Sequence, residues 1–198
     1  MPLILASASP RRTELLREAG FRFRILPAAV EEIEAGPGTA ASGIVLRNAE
    51  RKADLIASQE PGSTVIGADT VVELDGLILG KPADPADALR TLMLLSGKRH
   101  NVLTGVCIRN VERNIRIIFT DCTGVWFRPF DVETAKRYMS LVNVLDKAGS
   151  YGIQEQGDML VERIEGLFSN IVGLPVERVA EALRMIGEDP AGKDENNG

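Results

Sequence analysis

Hydroxyl and guanidinium side chains lie close together where the sequence changes from a short apolar run to a helical pattern. The stretch ASASPRR places Ser7, Ser9, Arg11 and Arg12 at that change. Helix starts offer free backbone N–H groups that bind anions, and arginine adds paired donors that suit phosphate oxygens. The stretch therefore fits a phosphate-binding site. A capped helix with two solvated arginines is the simpler interpretation of this stretch alone.

A carboxylate interrupts a strongly apolar run of strand type. In VIGADTVV, Asp69 has apolar residues on both sides. A buried carboxylate without a partner is unfavourable, so Asp69 needs a cation, a metal ion or backbone donors. We interpret it as a residue that binds a divalent metal or activates water, rather than as an aspartate that caps a turn at a strand end.

Two lysines and a pair of glutamates add charge at separated positions. Lys81 follows a strand-like run in LGKPAD, where the spacing and the proline rule out a P-loop; it is either a phosphate ligand or an exposed loop lysine. Lys52 lies beside the apolar face of a predicted helix, where it either snorkels or reaches into a cleft. Glu31 and Glu32 precede that helix and are typical of a solvated charge pair.

A loop rich in small residues carries an amide that can read a nucleobase. Residues 146–157 are DKAGSYGIQEQG. Such a loop can close over a base, with Gln154 contacting its hydrogen-bonding edge; a plain surface loop is the alternative. Together with the cations, acids and hydroxyls above, it indicates a site for a polyphosphate and a divalent ion.

Strand and helix patterns indicate the elements that must position these side chains. Strands are predicted at 2–6, 21–27, 64–74, 77–80, 101–110, 115–127 and 159–166, and helices at 10–19, 39–58, 85–95, 132–142 and 175–187. Ser9, Asp84 and Asp131 are the predicted helix N-caps, and residues 167–175 are a predicted buried connection. Hairpins mixed with strand–helix units predict an α/β fold with a mixed sheet, in one domain over residues 1–187. Residues 188–198 are predicted to be a disordered tail.

Composition excludes several classes of protein. The chain has 198 residues, a net charge of −5 and no basic stripe, which argues against a nucleic-acid partner. No apolar run is long enough to span a membrane, and the run from Leu3 to Ala6 is too short for a signal peptide, so we expect a cytoplasmic protein.

His100 is the only histidine, which excludes a zinc site built on several histidines. Cys107 and Cys122 are predicted to be buried free thiols.

Eight ordered motifs resemble those of the Maf family of nucleotide pyrophosphatases. They are S-x-SPRR, E-E, R-x-K-A, G-A-D-T-V-V, G-K-P, L-S-G-x-x-H, D-K-A-G-x-Y-G-I-Q and N-x-V-G-L-P, and they extend from Leu3 to about Met185. The resemblance implies hydrolysis of nucleoside triphosphates to the monophosphate and pyrophosphate, with Mg²⁺ or Mn²⁺. It also implies an elongated mixed sheet flanked by helices, with two lobes around a central cleft as in inosine triphosphate pyrophosphatases, and often a homodimer.

The resemblance further implies roles for individual residues. Asp69 matches the catalytic aspartate of the family, usually the proton acceptor, and Asp69 with Glu32 would supply oxygens to the metal. The residues expected to bind substrate are Ser7, Ser9, Arg11, Arg12, Lys52 and Lys81. The residues that match the branch acting on dTTP and UTP are Arg11, Thr70 and Gln154; the sibling branch acting on 7-methyl-GTP differs there.

The expected reaction is attack of water on the α-phosphorus, with house-cleaning of non-standard pyrimidine nucleotides as the purpose. Asp69 either accepts the proton or binds the metal and orients the water, because a carboxylate with a pKa near ~4 is a weak base at neutral pH. Two alternatives stay open. One is a regulatory binding module that restrains division-septum formation, and the other is a pyrophosphatase for a modified purine nucleotide such as 7-methyl-GTP.

Overall fold

The long apolar runs of the sequence form the strands of one sheet in the computed structural model, which describes residues 2–33 and 39–190. The strands are β1 (Leu3–Leu5), β2 (Arg24–Ile25), β3 (Thr64–Leu74), β4 (Leu77–Leu79), β5 (Arg99–Asn110), β6 (Ile115–Phe127) and β7 (Val161–Glu165). Their order is β2-β1-β3-β5-β6-β7, with β4 paired to β3. Strand β1 is parallel to both β2 and β3, and all other pairs are antiparallel. The predicted mixed α/β sheet is confirmed.

Helices flank the sheet, and three of them begin directly after the N-cap residues that the sequence predicted. They are α1 (Pro10–Glu18), α2 (Ala41–Gln59), α3 (Pro85–Leu95), α4 (Val132–Leu141), α5 (Phe168–Val172) and α6 (Val176–Met185). The side chains of Ser9, Asp84 and Asp131 accept hydrogen bonds from backbone N–H groups in the first turns of α1, α3 and α4. These bonds satisfy donors that a helix start leaves without an intrahelical partner. None of the helices in the described part of the chain is both long and apolar enough to cross a membrane.

Three local predictions differ from the structure. Residues 21–27 were predicted as a strand, but only Arg24 and Ile25 pair, because their partner β1 is three residues long. The connection 167–175 is largely buried, as predicted, but it contains a helical turn, α5. The loop 146–157 contains short 3-10 turns at Ala148–Ser150 and Gly157–Met159.

The prediction of two buried thiols is wrong for one of them. Cys107 is buried, whereas Cys122 is exposed. Cys122 faces the same side of the sheet as its partner Leu103. The helix on that side, α2, packs mainly on β3 and β5, so it leaves this part of β6 open.

Two hydrophobic cores share one face of the sheet, and β3 runs through both. Ile66 and Ala68 belong to a core completed by β1, α1, α6 and the end of β5. Val72 and Leu74 belong to a second core completed by α3, α4 and β6. Thr70 lies between the two pairs on the same face, because strand residues two apart point the same way. A polar residue, Thr70, therefore separates the two cores at the middle of β3.

Helix α2 covers the opposite face of the sheet at very short range. A Cβ atom built on Gly67 would lie 2.2 Å from the carbonyl oxygen of Ala49, and one on Gly105 would lie 2.4 Å from that of Val45. Only glycine allows the helix backbone to approach the strands this closely. The side chains of α2 are thereby fixed above the middle of β3.

The single-domain division and the disordered tail stay predictions. Glu188, at the start of the predicted tail, accepts a hydrogen bond from the Thr64 hydroxyl at 2.9 Å. Residues 191–198 lie outside the described residues.

Candidate active site

An interruption along one edge of β3 creates the site. On that edge β1 pairs with residues 64–66 and β4 with residues 72–74, and no described strand pairs with residues 67–71 between them. The carbonyl oxygen of Ala68 accepts hydrogen bonds instead from Arg12 Nη1 at 2.9 Å and Lys52 Nζ at 3.4 Å. Two cations therefore satisfy a backbone acceptor that a neighbouring strand would otherwise take.

Asp69 and Thr70 are adjacent in the sequence and point to opposite faces of the sheet. Asp69 faces α2, where its Oδ1 accepts a hydrogen bond from Lys52 Nζ at 2.8 Å and its Oδ2 one from Asn48 Nδ2 at 3.1 Å. Asn48 and Lys52 are four residues apart, so they lie on one face of the helix. Of the partners that the sequence allowed for Asp69, which are a cation, a metal ion or backbone donors, the structure shows a cation, Lys52.

Lys52 joins two carboxylates. Its Nζ lies 2.7 Å from Glu32 Oε1 and 2.8 Å from Asp69 Oδ1. Partial burial would raise the pKa of Glu32, but the hydrogen bond and charge of Lys52, with the charges of Lys81 and Arg12, outweigh it and lower the pKa. Glu32 is therefore ionised at neutral pH. Its side chain is about half exposed, as a solvated residue would be, but its partner is Lys52.

The two carboxylates fit a Mg²⁺ or Mn²⁺ ion in part. Mg²⁺ is commonly held by one or two carboxylates together with substrate phosphates. Glu32 and Asp69 provide such a pair on one ammonium group. Within residues 2–33 and 39–190 no group of three or more histidine, cysteine, aspartate or glutamate side chains is arranged to hold a metal by itself. Phosphate oxygens would have to complete the coordination.

Arg12 is built into the framework of the site. Its guanidinium donates hydrogen bonds to four groups: Gly173 O at 2.7 Å, Ala68 O at 2.9 Å, Thr70 Oγ1 at 3.0 Å and Ser7 Oγ at 3.2 Å. Four of its five N–H groups are thereby occupied by protein. Arg12 offers a ligand mainly positive charge, whereas the sequence predicted a donor of phosphate hydrogen bonds.

Burial also shapes the electrostatics of Arg12. Burial lowers its pKa, and the charges of Asp69 and Glu32 partly oppose this while Arg11 adds to it. Because an arginine pKa starts so high, the guanidinium stays charged at any physiological pH. A fixed positive charge is therefore present at the middle of β3.

A cleft of about 410 Å³ opens beside this edge of β3 and brings most of the predicted residues together. The predicted residues in its wall are Ser7, Ser9, Arg11, Arg12, Glu32, Lys52, Thr70, Lys81 and Gln154. The volume is typical of a site for a small molecule. Of the predicted residues in the described chain, Asp69 alone is outside the wall; it is 7% exposed and lies behind Lys52.

Arg11 forms an ion pair with Asp146 across the cleft, so its guanidinium is not free in solvent. Its Nη1 lies 3.2 Å from Asp146 Oδ2, and its Nη2 donates to the Asp146 backbone oxygen at 3.5 Å. Asp146 is the first residue of the segment 146–157. Gln154 lies near the other end of that segment, and its side chain is exposed. The start of α1 and the predicted base-reading loop are therefore in direct contact.

Sequence reasoning missed several polar residues that support the site. Asn170 is buried and donates to Val102 O at 2.9 Å and Thr123 Oγ1 at 3.0 Å, which fixes α5 and the carbonyl that binds Arg12. Tyr151 lines the cleft, and its hydroxyl lies 2.9 Å from His100 Nε2. The motifs N-x-V-G-L-P and L-S-G-x-x-H contain two of these residues, but neither pattern reveals a partner so far along the chain.

The fold and the cleft define a mixed α/β protein with a ligand-sized, highly charged cleft at an interrupted sheet edge. The sequence profile of the family described as Maf-like protein matches residues 2–186, and the chain belongs to this family.

Curated relatives are similar over almost their full length. A dTTP/UTP pyrophosphatase from Citrifermentans bemidjiense is 45% identical over 185 residues, which cover 93% of this chain and 95% of the relative. A dTTP/UTP pyrophosphatase from Akkermansia muciniphila is 42% identical over 188 residues, covering 94% and 97%. One from Geobacter metallireducens is 44% identical over 185 residues, covering 93% and 96%.

Solved structures overlap with a smaller part of the chain. A nucleoside-triphosphatase / dITP/XTP pyrophosphatase from Mycobacterium abscessus has a TM-score of 0.42 at 18% identity, covering 64% of this chain and 74% of that one. The Staphylococcus aureus Ham1 protein has a TM-score of 0.45 at 12% identity, covering 64% and 72%. Family membership therefore rests on the profile and the curated relatives.

Proposed function

We propose that this chain hydrolyses dTTP and UTP to the nucleoside monophosphate and pyrophosphate. The observation that carries the proposal is the contact of Lys52 with both Asp69 and Glu32 beside a cleft that Arg11, Arg12 and Lys81 also reach. Alternating cations and acids suit a triphosphate that carries several negative charges and a metal ion. The relatives named dTTP/UTP pyrophosphatase support the substrate class.

The proposed metal ligands are Asp69 and Glu32, which would hold Mg²⁺ or Mn²⁺ together with phosphate oxygens. The ion would neutralise charge on the phosphoryl oxygens while it is bound. Lys52 contacts both carboxylates and holds them close together.

Side chains and backbone amides of the protein would activate the water and stabilise charge on the phosphates. Water attacks the α-phosphorus, the bond to the bridging oxygen of the β-phosphoryl group breaks, and pyrophosphate leaves. Asp69 accepts the proton of the water or orients the water, with Asn48 and Lys52 fixing its two oxygens. The N-terminal amides of α1 and the cations Arg12 and Lys81 stabilise charge on the triphosphate.

We propose that Gln154, in the wall of the cleft, contacts the base of the substrate. Gln154 carries both a donor and an acceptor, which suits the N3–H and a carbonyl of thymine or uracil. Arg11 and Thr70 complete the specificity set. The proposed setting is the cytoplasm, where the free thiols Cys107 and Cys122 would stay reduced, and the proposed assembly is a homodimer.

Pyrophosphate release from a nucleotide panel tests the function. We expect dTTP and UTP to be cleaved in preference to CTP, dATP and 7-methyl-GTP, and only with Mg²⁺ or Mn²⁺ present. Cleavage of 7-methyl-GTP instead would indicate a purine enzyme, and no release from any nucleotide would indicate a binding module. Either result contradicts the proposal.

Replacement of Asp69 tests the site. Asp69→Asn should lower kcat by about 10³-fold, because it removes the group that activates or orients water and contacts the metal. Asp54→Asn is the matched control, since Asp54 is exposed on α2 and pairs with Arg109. Normal turnover by a folded Asp69→Asn variant would exclude both roles.

A further inference from the structure

A buried ammonium group lies under the segment that carries Gln154, and the proposed reaction gives it no role. Lys147 is 5% exposed, and its Nζ donates to Asn143 O at 2.6 Å and Asp146 Oδ1 at 2.9 Å. The same Nζ lies 3.0 Å from Glu155 Oε1. Glu155 directly follows Gln154 in the sequence. One buried cation thus ties together the two ends of the segment 146–155.

The same group of charges reaches across the cleft to the start of α1. Asp146 uses one carboxylate oxygen, Oδ1, for Lys147 and the other, Oδ2, for Arg11. The four residues form one continuous chain of ion pairs, in the order Arg11, Asp146, Lys147 and Glu155. Partial burial would raise the pKa of Asp146, but its hydrogen bonds to Lys147 and Arg11 outweigh this and lower the pKa. Asp146 is thus charged at neutral pH and can bind both cations at once.

Packing leaves the segment little freedom around this ammonium. A Cβ atom on Gly152 would lie 2.6 Å from Cε of Lys147, so the lysine stem packs directly against the backbone between Tyr151 and Gln154. The hydroxyl of Tyr138 accepts a hydrogen bond from Gly152 N at 3.0 Å and lies 3.2 Å from Gly152 O. The backbone that leads to Gln154 is therefore fixed from both sides.

We propose that Asp146 and Lys147 are positioning residues that set the distance between Arg11 and Gln154 and thereby the preference for thymine and uracil. The proposal rests on the proposed function, because it needs a pyrimidine bound between these side chains. Neither positioning residue needs to touch the substrate. Loss of the ion-pair chain leaves the hydrolytic groups on β3 and α2 in place and releases the two groups that surround the base.

A double-mutant cycle tests whether Asp146 acts through Arg11. Asp146→Asn keeps the shape of the side chain and removes its charge. We expect it to lower kcat/KM for dTTP about ten-fold, mainly through KM, and to lower the preference for dTTP over CTP by a similar factor. In an Arg11→Ala background the same change should alter kcat/KM less than about two-fold, because the partner is already gone. Effects that simply multiply would overturn the proposal.

Replacement of the buried lysine provides a second measurement. Lys147→Met keeps the apolar stem and removes the ammonium, and we expect the same fall in the dTTP to CTP ratio. Lys136→Met is the matched control, because Lys136 forms an exposed ion pair with Glu133 on α4. If the Lys147→Met variant has a lower Tm but an unchanged ratio of kcat/KM for dTTP to that for CTP, Lys147 has a structural role only. If that variant fails to fold, the cycle at the half-exposed Asp146 decides.

The wild-type chain separates this proposal from the proposed function. If it prefers dTTP and both variants keep that preference, the positioning role alone is wrong. If it releases no pyrophosphate from any nucleotide, the proposed function is wrong and the positioning role fails with it.

Discussion

The guanidinium of Arg12 connects segments that are far apart in the sequence. It holds the loop after β1, the open edge of β3 and the turn at Gly173 in one arrangement. A planar group with donors in several directions can do this, whereas an ammonium on a flexible stem cannot. The residue is therefore as important for the shape of the cleft as for its charge.

Arg12→Lys tests that structural role. We expect the free energy of unfolding to fall by about 2–4 kcal/mol, because the lysine leaves several buried acceptors without a partner. Pyrophosphate release should fall as well, although the charge is retained. Urea denaturation measures the first effect, and Arg17→Lys on the exposed side of α1 is the control. Equal stability of the two variants would contradict the framework role.

Residue types in the site were predictable, and their partners were not. The sequence indicated that Asp69 needs a cation, a metal ion or backbone donors, and that Lys52 either snorkels or reaches into a cleft, but it did not connect the two residues. That contact depends on α2 lying across β3, which no spacing reveals. Asn48 and Asn170 were missed for the same reason, since each is bonded to groups outside its own element.

Among the elements, α2 has the strictest requirement on its position. It carries Asn48 and Lys52 above Asp69, and it can lie there only because Gly67 and Gly105 have no side chain. The placement of the proposed catalytic groups therefore depends on two glycines that lie outside the wall of the cleft.

Gly105→Ala should disturb the site from a distance. The added methyl group meets the backbone of α2 at Val45, so the helix must shift. We expect a loss of about 1–3 kcal/mol of stability and about ten-fold lower kcat. Thermal unfolding and pyrophosphate release measure the two effects.

Gly43→Ala provides the control for that substitution. Nothing lies within 4 Å of a Cβ atom at this position of α2. A helical alanine there should stabilise the chain by up to about 1 kcal/mol and leave kcat unchanged. If Gly105→Ala behaved in the same way, close packing of α2 would not matter for the site.

The strands and helices themselves were mostly predictable, because period and capping residues are local signals. The long strand β3, the hairpin to β4 and the cap of α3 are where the sequence placed them. The short strand β2 and the exposed Cys122 were not, because pairing length and helix coverage depend on neighbouring elements.

At the scale of the whole molecule, the single histidine links global stability to pH. His100 is buried between Phe127 and Tyr151, and burial, with a smaller effect of Arg99, lowers its pKa from 6.5 to about 4. The unfolded chain therefore takes up a proton on His100 at a higher pH than the folded chain does. The contribution of His100 to the free energy of unfolding does not change above about pH 6.5 and becomes less favourable as the pH decreases from 6.5 to 4.

The expected loss is about 3 kcal/mol over that whole range and about 2 kcal/mol at pH 5. Urea denaturation of the wild-type chain at pH 7 and pH 5 measures it. His100→Gln removes the titrating group and should flatten the dependence in this window. An equally steep fall in His100→Gln would assign the pH dependence to other residues.

The continuous run of β3 through both hydrophobic cores joins the two sides of the cleft. Both sides are therefore attached to one hydrogen-bonded sheet, which resists their separation as independent bodies. The ion pair between Arg11 and Asp146 is the contact that links the start of α1 to the segment 146–155 across the cleft. Under the proposed function, these charges would affect both access to the cleft and the choice of base.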